Sequence, residues 1–391
     1  MMEGTTATAT ARDSDRIGGP EPPMSASAPL RVLHVFPTFA PGGVQLRIAD
    51  VANRLGPGFA HLCVALDGCH DARARLDPET QWRAVPETES LKGLRALPAI
   101  RRRITGIAPD LLCTYNWGTM DWAVAQAVRP SVPHLHFESG FGPEEARRLL
   151  PRRNAMRRLA LRSVHRLVAP SQVLIGLAKQ HRWIATERLR LVPNGVDTAF
   201  YAAAEPPGPC AESLVVSVAP LRPEKRLERL IEAFEEASGG TRARLHLLGS
   251  GPCETALRTR AESGGAAARI VFRGHCGDVR EDLGAASVFA MTSETEQMPN
   301  ALLQAMAMGR PVVAFDAGDI KSILPPEQRA FVYPQEDAAG FASGLRRLLE
   351  DPGLRSELGA ANRARVCRHY SMDTMVESYR RLYREAISQR A

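Results

Sequence analysis

Two alternating sequence patterns limit what this chain can fold into more than any other feature. Short apolar runs rich in β-branched residues, such as LRVLHVF at 30–36, are typical of buried parallel strands, and an apolar stripe at helical spacing follows over 44–55. Further apolar runs lie at 61–66, 110–115, 133–137 and 165–170, with helical segments at 119–128 and 152–163. This alternation predicts an α/β domain with a doubly wound parallel sheet.

A second series of the same kind begins after a stretch rich in Pro, Ala and Gly at 202–212. Its apolar runs lie at 213–219, 243–249, 268–274, 286–293 and 311–315, and its helical segments at 223–237, 253–263 and 299–308. A last helix over 372–388 carries one apolar stripe, which we expect to pack across the junction between the domains. The predicted divisions are a flexible tail at 1–28, a first domain at 29–201, a linker at 202–212, a second domain at 213–370 and the final helical segment at 371–391.

Composition narrows the class of protein. The 391 residues are 44% hydrophobic, which suits two soluble domains that each bury a core. No apolar run is long enough to span a bilayer, and the first 28 residues lack the pattern of a secretory signal, so we expect a cytoplasmic protein. Seven cysteines, none of them paired two residues apart, favour free thiols over a disulfide framework or a zinc site. A strand end and loop explain the neighbouring His61, Cys63, Cys69 and His70 better than a metal site does.

The net charge of +7 is concentrated in one segment. Between Gly142 and Arg166 eight arginines stand against two glutamates, which leaves +6. These arginines are 147, 148, 152, 153, 157, 158, 162 and 166. On a helix from Arg152, apolar side chains such as Met156, Leu159, Ala160 and Val164 share one face and basic ones the opposite face. This arrangement predicts that Arg152–Arg166 contacts an anionic membrane surface, with a merely solvated face as the alternative.

Loops that follow strands are the first place to look for a ligand, because open α/β sheets bind ligands outside the carboxyl ends of their strands. Pro41-Gly42-Gly43 follows one strand and precedes a helix, so its backbone amides suit an anion, although a plain tight turn explains this pair of glycines better when it is taken alone. Arg222 and Lys225 flank Pro223, which suits the first position of a helix. Cations are disfavoured at a helix N-terminus unless an anion such as a diphosphate binds there; solvated surface charge is the alternative.

Two further loops complete the candidate site. Gly249 and Gly251, after the run at 243–249, offer a close backbone approach to a ligand. Glu296 stands on a loop just before a helix that starts at Pro299, and Gln304 lies eight residues further on, inside that helix. Two hydrogen-bonding side chains on one loop and helix can hold different parts of an extended polar ligand, such as a sugar and a ribose. The alternative is that Glu296 only complements the helix dipole.

Taken together these motifs resemble the glycogen-synthase-like superfamily of retaining glycosyltransferases with the GT-B fold, specifically its bacterial group 4. The resemblance extends from about residue 30 to 390. It is carried by Pro-Gly-Gly at 41–43, Val-Pro-Asn-Gly-Val-Asp at 192–197, Pro-Glu-Lys at 223–225, Gly-Ser-Gly-Pro at 249–252 and the segment 296–311. It implies two Rossmann-like parallel-sheet domains facing a central cleft. It also implies transfer of a sugar from a nucleoside-diphosphate sugar to a hydroxyl acceptor, with no metal or other cofactor.

The resemblance assigns roles to residues of this chain. Glu296 matches the carboxylate that faces the donor sugar, and Lys225 the lysine that neutralises the diphosphate. Three positions depart from the pattern: Gln304 replaces the glutamate that binds ribose, Pro220 replaces the companion arginine, and Ser139, after Glu138, replaces a histidine near the transferred sugar. We therefore expect Arg222 to act as the substitute cation. The other substrate-binding residues expected are Gly42, Gly43, Glu138, Ser139, Asn194, Gly249, Gly251, Met298, Pro299, Asn300 and Gln304.

The resemblance further implies a glycan or lipid-linked acceptor, a role in bacterial polysaccharide or glycoconjugate synthesis on the inner face of the membrane, and no nucleic-acid partner. Two alternatives stay open. One is a nucleotide-sugar epimerase of the same fold, for which the sequence offers no clear acid–base pair. The other is a non-catalytic nucleotide-sugar-binding protein, which the departures at Gln304, Pro220 and Ser139 allow. A Rossmann oxidoreductase is disfavoured, since no strand is followed by Gly-x-Gly-x-x-Gly.

Overall fold

The computed structural model describes Met1 and residues 28–86, 93–141, 145, 149–202 and 213–389. These residues form two domains, each built on a parallel β-sheet with helices, which confirms the predicted fold class. The tail at 2–27 and the linker at 203–212 lie outside the described residues, as do Arg147 and Arg148.

The first domain contains a seven-stranded sheet in the order β3-β2-β1-β4-β5-β6-β7. Its strands are β1 Leu30–Phe36, β2 Phe59–Ala65, β3 Trp82–Ala84, β4 Leu111–Tyr115, β5 His134–Phe137, β6 Arg166–Ala169 and β7 Leu189–Leu191. Its helices are α1 Gly43–Leu55, α2 Leu97–Ile107, α3 Met120–Val128, α4 Pro151–Ala160 and α5 Gln172–Gln180. The strands expected from sequence all form. The edge strands β3 and β7, of three residues each, are too short for their pattern to have been recognised.

The second domain contains a six-stranded sheet in the order β10-β9-β8-β11-β12-β13. Its strands are β8 Leu214–Val218, β9 Arg244–Leu248, β10 Ile270–Gly274, β11 Val288–Met291, β12 Val312–Phe315 and β13 Val332–Tyr333. The helices that follow β8 are α6 Leu227–Ala237, α7 Glu254–Glu262, α8 Arg280–Ala285, α9 Asn300–Ala307, α10 Ile320–Ile323, α11 Ala338–Glu350, α12 Pro352–His369 and α13 Met372–Ser388.

Both sheets reverse their strand order at a defined place. In the first sheet β1 pairs with β2 on one side and β4 on the other, and in the second β8 pairs with β9 and β11. All of these pairs are parallel, so the carboxyl ends of the strands lie at one edge of each sheet. The crevice at such a reversal is where doubly wound sheets bind ligands. The loops after β1, β8 and β11 are therefore the places where a bound ligand is expected.

Helix α13 lies on the first domain although it follows the second in sequence. Its buried face joins the core of the first sheet, where the ring of Tyr379 stacks on that of Phe137 at a centroid distance of 5.4 Å. Tyr383 is fully buried and meets Phe59 edge-on at 6.0 Å. Each buried aromatic side chain contributes on the order of 2–3 kcal/mol through apolar burial, so this helix ties the end of the chain firmly to its beginning.

The arginine-rich segment does not have the two faces expected of it. Helix α4 ends at Ala160, so Arg162 and Arg166 do not lie on it, and Leu159 of the expected apolar face is 42% exposed. Arg166 instead forms an ion pair with Glu385, at 2.5 Å. The expected division into one apolar and one free basic face is wrong, because tertiary contacts take up several of the charges.

Arg157, on the same helix, is fully buried rather than free. Its guanidinium binds the carboxylate of Glu145 through two hydrogen bonds of 3.0 and 2.7 Å. The rings of Trp117, Phe141 and Trp183 lie 4.8–5.2 Å from it. Burial opposes ionisation of Glu145, but the bonds from Arg157 hold the pKa of this carboxyl below its usual range. The pair thus ties Glu145 to helix α4.

A row of hydrogen-bonded histidines runs through the core of the first sheet. His34 lies between the hydroxyl of Tyr115, at 2.8 Å, and the ring of His61, at 3.0 Å. The hydroxyl of Thr114 bonds His134 at 2.7 Å and His136 at 2.8 Å. Burial lowers the pKa of His61 to about 4 and that of His134 to about 3, so these rings are neutral at pH 7.

The buried histidines predict a domain that loses stability in acid. A histidine with a depressed folded-state pKa binds fewer protons when folded, so stability falls as the pH drops from about 6.5 towards the folded-state pKa. Urea unfolding at pH 7.5, 6.5, 5.5 and 4.5 should show this decline. In His134→Gln we expect a lower free energy of unfolding at pH 7.5 but a shallower decline below it. The exposed His275→Gln serves as control; an equal decline in both variants would contradict the assignment.

Candidate active site

Loops from the carboxyl ends of the two sheets meet across one cleft. Ser171, after β6, donates from its hydroxyl to the side-chain oxygen of Gln297, after β11, at 3.1 Å. The carboxylate of Asp319, after β12, accepts the backbone amides of Gln172 and Val173 at 2.6 and 3.1 Å. Asp319 therefore binds the free N-terminus of α5 in the opposite domain, a favourable place for a negative charge. The carboxyl edges of the two sheets therefore face each other across this cleft.

The structure brings Lys225 and Glu296 together. Their charged groups, Nζ and Oε1, are 2.5 Å apart, with the side chains 15% and 11% exposed. The hydroxyl of Ser293 donates to the same carboxylate oxygen at 2.7 Å. Lys225 follows β8 and Glu296 follows β11, and these strands are neighbours in the sheet. The residue expected to bind a diphosphate is thus paired with the carboxylate expected to face a sugar.

Contacts to its backbone atoms fix the loop that carries Glu296. Gln335 donates from its amide to the carbonyl oxygens of Ser293 and Asp316 at 3.1 and 3.0 Å. Gly318 has φ +57°, and a Cβ atom at this position would lie 1.8 Å from the carbonyl oxygen of Glu296. Only a glycine allows the loop after β12 to come this close. The position of Glu296 therefore depends on Gly318.

The sequence predicts that Arg222 and Lys225 lie at the start of an α-helix. In the structure they do not lie on an α-helix. Pro223–Lys225 form a single 3-10 turn, Arg226 has φ +50°, and α6 begins only at Leu227. The sequence pattern misses this break because Arg226 is not a residue type that usually adopts the left-handed region. Arg222 is exposed and Lys225 half-buried on either side of the turn, so both remain beside the cleft loop.

Gln304 lies on α9, and its side-chain amide donates to the hydroxyl of Tyr201 at 2.9 Å. An amide has two donors on nitrogen and an acceptor oxygen. With the nitrogen directed to Tyr201, the oxygen is left to accept from a ribose hydroxyl. The role of Gln304 in binding ribose stays a prediction, and Tyr201 is a partner that sequence spacing could not reveal.

Asn194 connects the two domains at the candidate site. Its side-chain amide donates to the carbonyl oxygen of Met298 at 3.1 Å and to the side-chain oxygen of Asn300 at 2.9 Å. A Cβ atom at Gly43 would lie 3.8 Å from the side chain of Asn300, and Pro299 directly precedes α9. Five of the predicted substrate-binding residues therefore lie within one small region.

The two glycine loops differ in what approaches them. Gly42 precedes the 13-residue helix α1, whose first-turn amides have no helical acceptor and are suited to an anion. At Gly249 and Gly251 a Cβ atom would lie 1.9 Å and 2.5 Å from the carbonyl oxygens of Ala219 and Leu221. In the second loop, then, the close approach that demands glycine is made by the chain's own backbone.

The loop after β5 places Ser139 and Glu138 in different surroundings. Ser139 accepts a hydrogen bond of 2.9 Å from Arg47, and its amide donates to the side chain of Asn116 at 2.8 Å. Glu138 is 2% exposed, and its carboxylate lies 3.7 Å from the Arg157 guanidinium and 4.0 Å from His136. The described neighbours of Glu138 all belong to the first domain, whereas Ser139 faces the residues that join the domains.

Sequence reasoning missed Arg47. It lies on α1, is 9% exposed, and donates to both Asn194 and Ser139. The signal was present in the sequence: Arg47 is three residues after Val44 and four before Val51, so it sits on the apolar stripe of its helix. A charged residue on such a stripe points to a special environment.

Among the described residues, no three His, Cys, Asp or Glu side chains are grouped as metal ligands, and this includes His61, Cys63, Cys69 and His70. The six cysteines in the described ranges are free thiols. Within the same ranges no helix combines the length and apolar character needed to cross a membrane.

Comparison with known protein families covers most of the chain. Residues 41–200 match the family described as Glycosyltransferase Family 4, and residues 212–351 match the family described as Glycosyl transferases group 1. The first match spans the first domain with its glycine loop. The second begins at β8 and includes the Lys225 and Glu296 loops.

Two individual relatives show how low the sequence identity is. A D-inositol 3-phosphate glycosyltransferase from Acidothermus cellulolyticus is 30% identical over 223 residues, 52% of this chain and 49% of the relative. The lipopolysaccharide core biosynthesis glycosyltransferase LpsE from Rhizobium meliloti is 27% identical over 53% of this chain and 61% of its own length. The aligned part of the chain thus spans about half the length of these relatives.

Solved structures match the fold over nearly the whole chain. HepE from Anabaena in complex with UDP has a TM-score of 0.75 at 18% identity, covering 91% of this chain and all of HepE. The lipopolysaccharide outer core galactosyltransferase WaaB in its apo form has a TM-score of 0.71 at 15% identity and covers 93% of this chain and all of WaaB. At such low identity these matches establish the two-domain architecture.

The contact between Gly318 and the Glu296 loop gives a testable prediction. Gly318→Ala should push this loop away, because its Cβ would overlap the Glu296 carbonyl oxygen. A displacement of about 1 Å at a reacting centre can cost on the order of 100-fold in rate, so we expect kcat to fall by ~10- to 100-fold. Gly265→Ala is the control, since a Cβ there meets nothing within 4 Å. Unchanged kcat in a folded Gly318→Ala protein would show that Glu296 needs no fixed position.

Proposed function

We propose that this chain, which belongs to the GT-B glycosyltransferases of the glycogen-synthase-like group, transfers a sugar from a nucleoside-diphosphate donor to a hydroxyl acceptor with retention of anomeric configuration. The observation that carries this proposal is the Lys225–Glu296 pair at the cleft. HepE, a structural neighbour, has been solved with UDP and with UDP-glucose, which supports a uridine diphosphate sugar as the first donor class to test.

In this proposal the diphosphate binds between Lys225, Arg222 and the amides at the start of α1. Before the donor arrives Lys225 is paired with Glu296. A diphosphate offers the ammonium a group of higher negative charge, and the exchange frees the Glu296 carboxylate for the sugar. As the glycosidic bond breaks, negative charge builds on the leaving diphosphate, and the cations already in place stabilise it.

Glu296 acts on the other half of the reaction. The transferred sugar gains oxocarbenium character in the transition state, and a carboxylate beside it stabilises the positive charge. Ser139 stands where related enzymes carry a histidine, so we propose that the donor phosphate, rather than a protein base, takes the proton of the acceptor hydroxyl. No metal or other cofactor is needed in this scheme. Closure of the two domains keeps water from hydrolysing the donor.

For the acceptor we propose a glycan or a lipid-linked sugar in bacterial polysaccharide or glycoconjugate synthesis. The relative LpsE, a lipopolysaccharide core biosynthesis glycosyltransferase, supports this proposal. We place the reaction in the cytoplasm, with the protein bound peripherally to the inner face of the cell membrane where such an acceptor is held.

The basic surface that we assign to the membrane contains only part of the segment Arg152–Arg166, together with residues from elsewhere on the first domain. A depression of about 520 Å³ on the first domain is lined by five cationic side chains and no acidic one. These are Arg158, Arg162, Lys179, Arg182 and Arg188, which we call the basic depression. Within the described residues none of the five forms an ion pair, in contrast to Arg157 and Arg166. An uncompensated cluster of this size attracts anionic lipid head groups.

The proposed reaction is tested directly by donor and product. Nucleoside-diphosphate sugars are screened by thermal shift, because a ligand of the native state raises its melting temperature. Stabilising donors are then incubated with hydroxyl acceptors, and the anomeric configuration of the product is read by NMR. Transfer with retention supports the proposal. Saturable binding with unchanged donor supports a non-catalytic binding protein, and inversion overturns the mechanism.

Glu296 and Gln304 should separate rate from binding. Glu296→Gln keeps the shape and removes the charge beside the oxocarbenium, so kcat should fall on the order of 100-fold or more while the fold stays intact. Gln304→Glu restores the residue of related enzymes and should tighten nucleotide binding or leave it unchanged. Lys225→Ala should weaken both donor binding and kcat, because its contact exists in the ground state and strengthens in the transition state.

The control for these variants is Glu294→Gln, since Glu294 lies on the same loop with a side chain 50% exposed. It should turn over donor at the wild-type rate. Wild-type kcat in Glu296→Gln would contradict the role given to this carboxylate and would favour a binding function for the cleft.

Membrane binding is tested by co-sedimentation with vesicles. Binding should rise with the fraction of anionic lipid and fall with salt. Each lysine or arginine near the surface contributes about 1 kcal/mol, so Lys179→Gln/Arg182→Gln should bind roughly tenfold more weakly or worse. The control Arg368→Gln/Arg381→Gln removes two exposed charges elsewhere. Equal binding to neutral vesicles, or equal loss in both double variants, would contradict the role of the basic depression.

A further inference from the structure

Arg47 is held where elements of both domains converge. One terminal nitrogen donates to the side-chain oxygen of Asn194, and the other donates to the hydroxyl of Ser139 at 2.9 Å. Asn194 in turn bonds Met298 and Asn300 of the second domain, at 3.1 and 2.9 Å. The guanidinium therefore lies within the group of residues that we assign to substrate binding, one helical turn from the glycine loop.

Among the residues that the structure describes, the charge of Arg47 has no counter-charge. Its described partners are neutral, namely Asn194, Ser139 and the hydroxyl of Tyr379, and no acidic side chain of the described residues forms an ion pair with it. Its Nε atom is buried and makes no hydrogen bond. Arg157, which is more deeply buried, has acidic partners, with Glu145 bound at 2.7 Å and Glu138 at 3.7 Å.

Burying an unpaired guanidinium costs free energy, and proteins normally pair such a charge or leave it in water. A fixed fork of N–H donors with unused capacity suits a carboxylate or phosphate, which it can bind through two hydrogen bonds. The missing counter-charge, the unused donors and the position of Arg47 in the cleft together point to a negatively charged group supplied by a ligand.

We propose that Arg47 binds an anionic group of the substrate, a carboxylate or a phosphate carried by the acceptor or by the transferred sugar. This rests on the proposed function, because it takes the cleft to be a glycosyl-transfer site. The group is separate from the donor diphosphate, which Lys225 and Arg222 hold on the second domain. The chain would then select substrates that are anionic beyond their nucleotide.

Binding of small anions tests the proposal without turnover. Malonate and inorganic phosphate are titrated by calorimetry into full-length protein that is saturated with UDP, so that the diphosphate site is already occupied. We expect saturable binding to the wild type and at least tenfold weaker binding to Arg47→Gln. Arg47→Lys, which keeps the charge but loses the fork, should be intermediate. Equal affinity in wild type and Arg47→Gln would overturn the proposal.

A matched control is Arg355→Gln. Arg355 is 8% exposed on α12 and donates only to the carbonyl oxygens of Leu348 and Leu349, away from the cleft. Its loss should leave anion binding unchanged, and a loss as large as in Arg47→Gln would also overturn the proposal. If Arg47→Gln does not fold, Ser139→Asp decides, because the Ser139 side chain accepts a hydrogen bond from Arg47: an internal carboxylate beside Arg47 should raise the melting temperature and weaken anion binding at least tenfold. A higher melting temperature with undiminished anion binding would contradict the proposal.

Two further comparisons locate the anionic group. If the transferred sugar carries it, wild type should bind UDP-glucuronate more tightly than UDP-glucose, and Arg47→Gln should lose that preference. If the acceptor carries it, Arg47→Gln should lose a preference for glucose 6-phosphate over glucose at unchanged donor affinity. Absence of both preferences in the wild type would overturn the proposal. Anion binding at Arg47 with no transfer to any acceptor would instead contradict the proposed function and leave the anion site standing.

Discussion

Two stretches of backbone pass between the domains side by side, and the geometry of the cleft depends on this crossing. The amide of Val196 donates to the carbonyl of Tyr370, and the amide of Met372 donates to the carbonyl of Val196, both at 2.9 Å. A Cβ atom at Gly195 would lie 2.7 Å from the carbonyl oxygen of Ser371, so only glycine allows the two backbone segments to come this close. Because the two crossings are hydrogen-bonded to each other, the covalent connections between the domains lie side by side, next to the candidate site.

The next feature is the set of charged side chains in the cleft beside this crossing. Asn194 directly precedes the crossing and joins Arg47 of the first domain to Asn300 of the second. On the second-domain side Lys225 and Glu296 neutralise each other, whereas on the first-domain side Arg47 has only neutral partners. In the proposed reaction a donor diphosphate replaces Glu296 as the partner of Lys225, and the anion that we propose for Arg47 is a different one.

The sequence predicts the fold well and the site in part, and the reason differs from element to element. Buried parallel strands such as 30–36 are continuous apolar runs, and the stripe of the last helix is long, so both are visible locally. The left-handed residue Arg226, which breaks the expected helix, depends on how the turn packs against the neighbouring loop and has no local signal. The basic segment fails for the same reason, because Glu145 and Glu385 neutralise Arg157 and Arg166 through contacts distant in sequence. Motif positions find Lys225 and Glu296, but their pairing is a tertiary fact.

The departures at Ser139 and Gln304 fit their surroundings in this chain. A histidine at 139 would place a second titratable cation beside the Arg47 guanidinium, whereas a serine hydroxyl accepts the arginine's hydrogen bond without adding charge. The charged side chain at this place is therefore supplied by helix α1 rather than by the loop after β5. At Gln304 the amide donates to Tyr201, which orients its oxygen away from that hydroxyl. A carboxylate there would instead accept a hydrogen bond from the tyrosine hydroxyl. Both substitutions thus keep a hydrogen-bonding side chain at these positions and remove a titratable group.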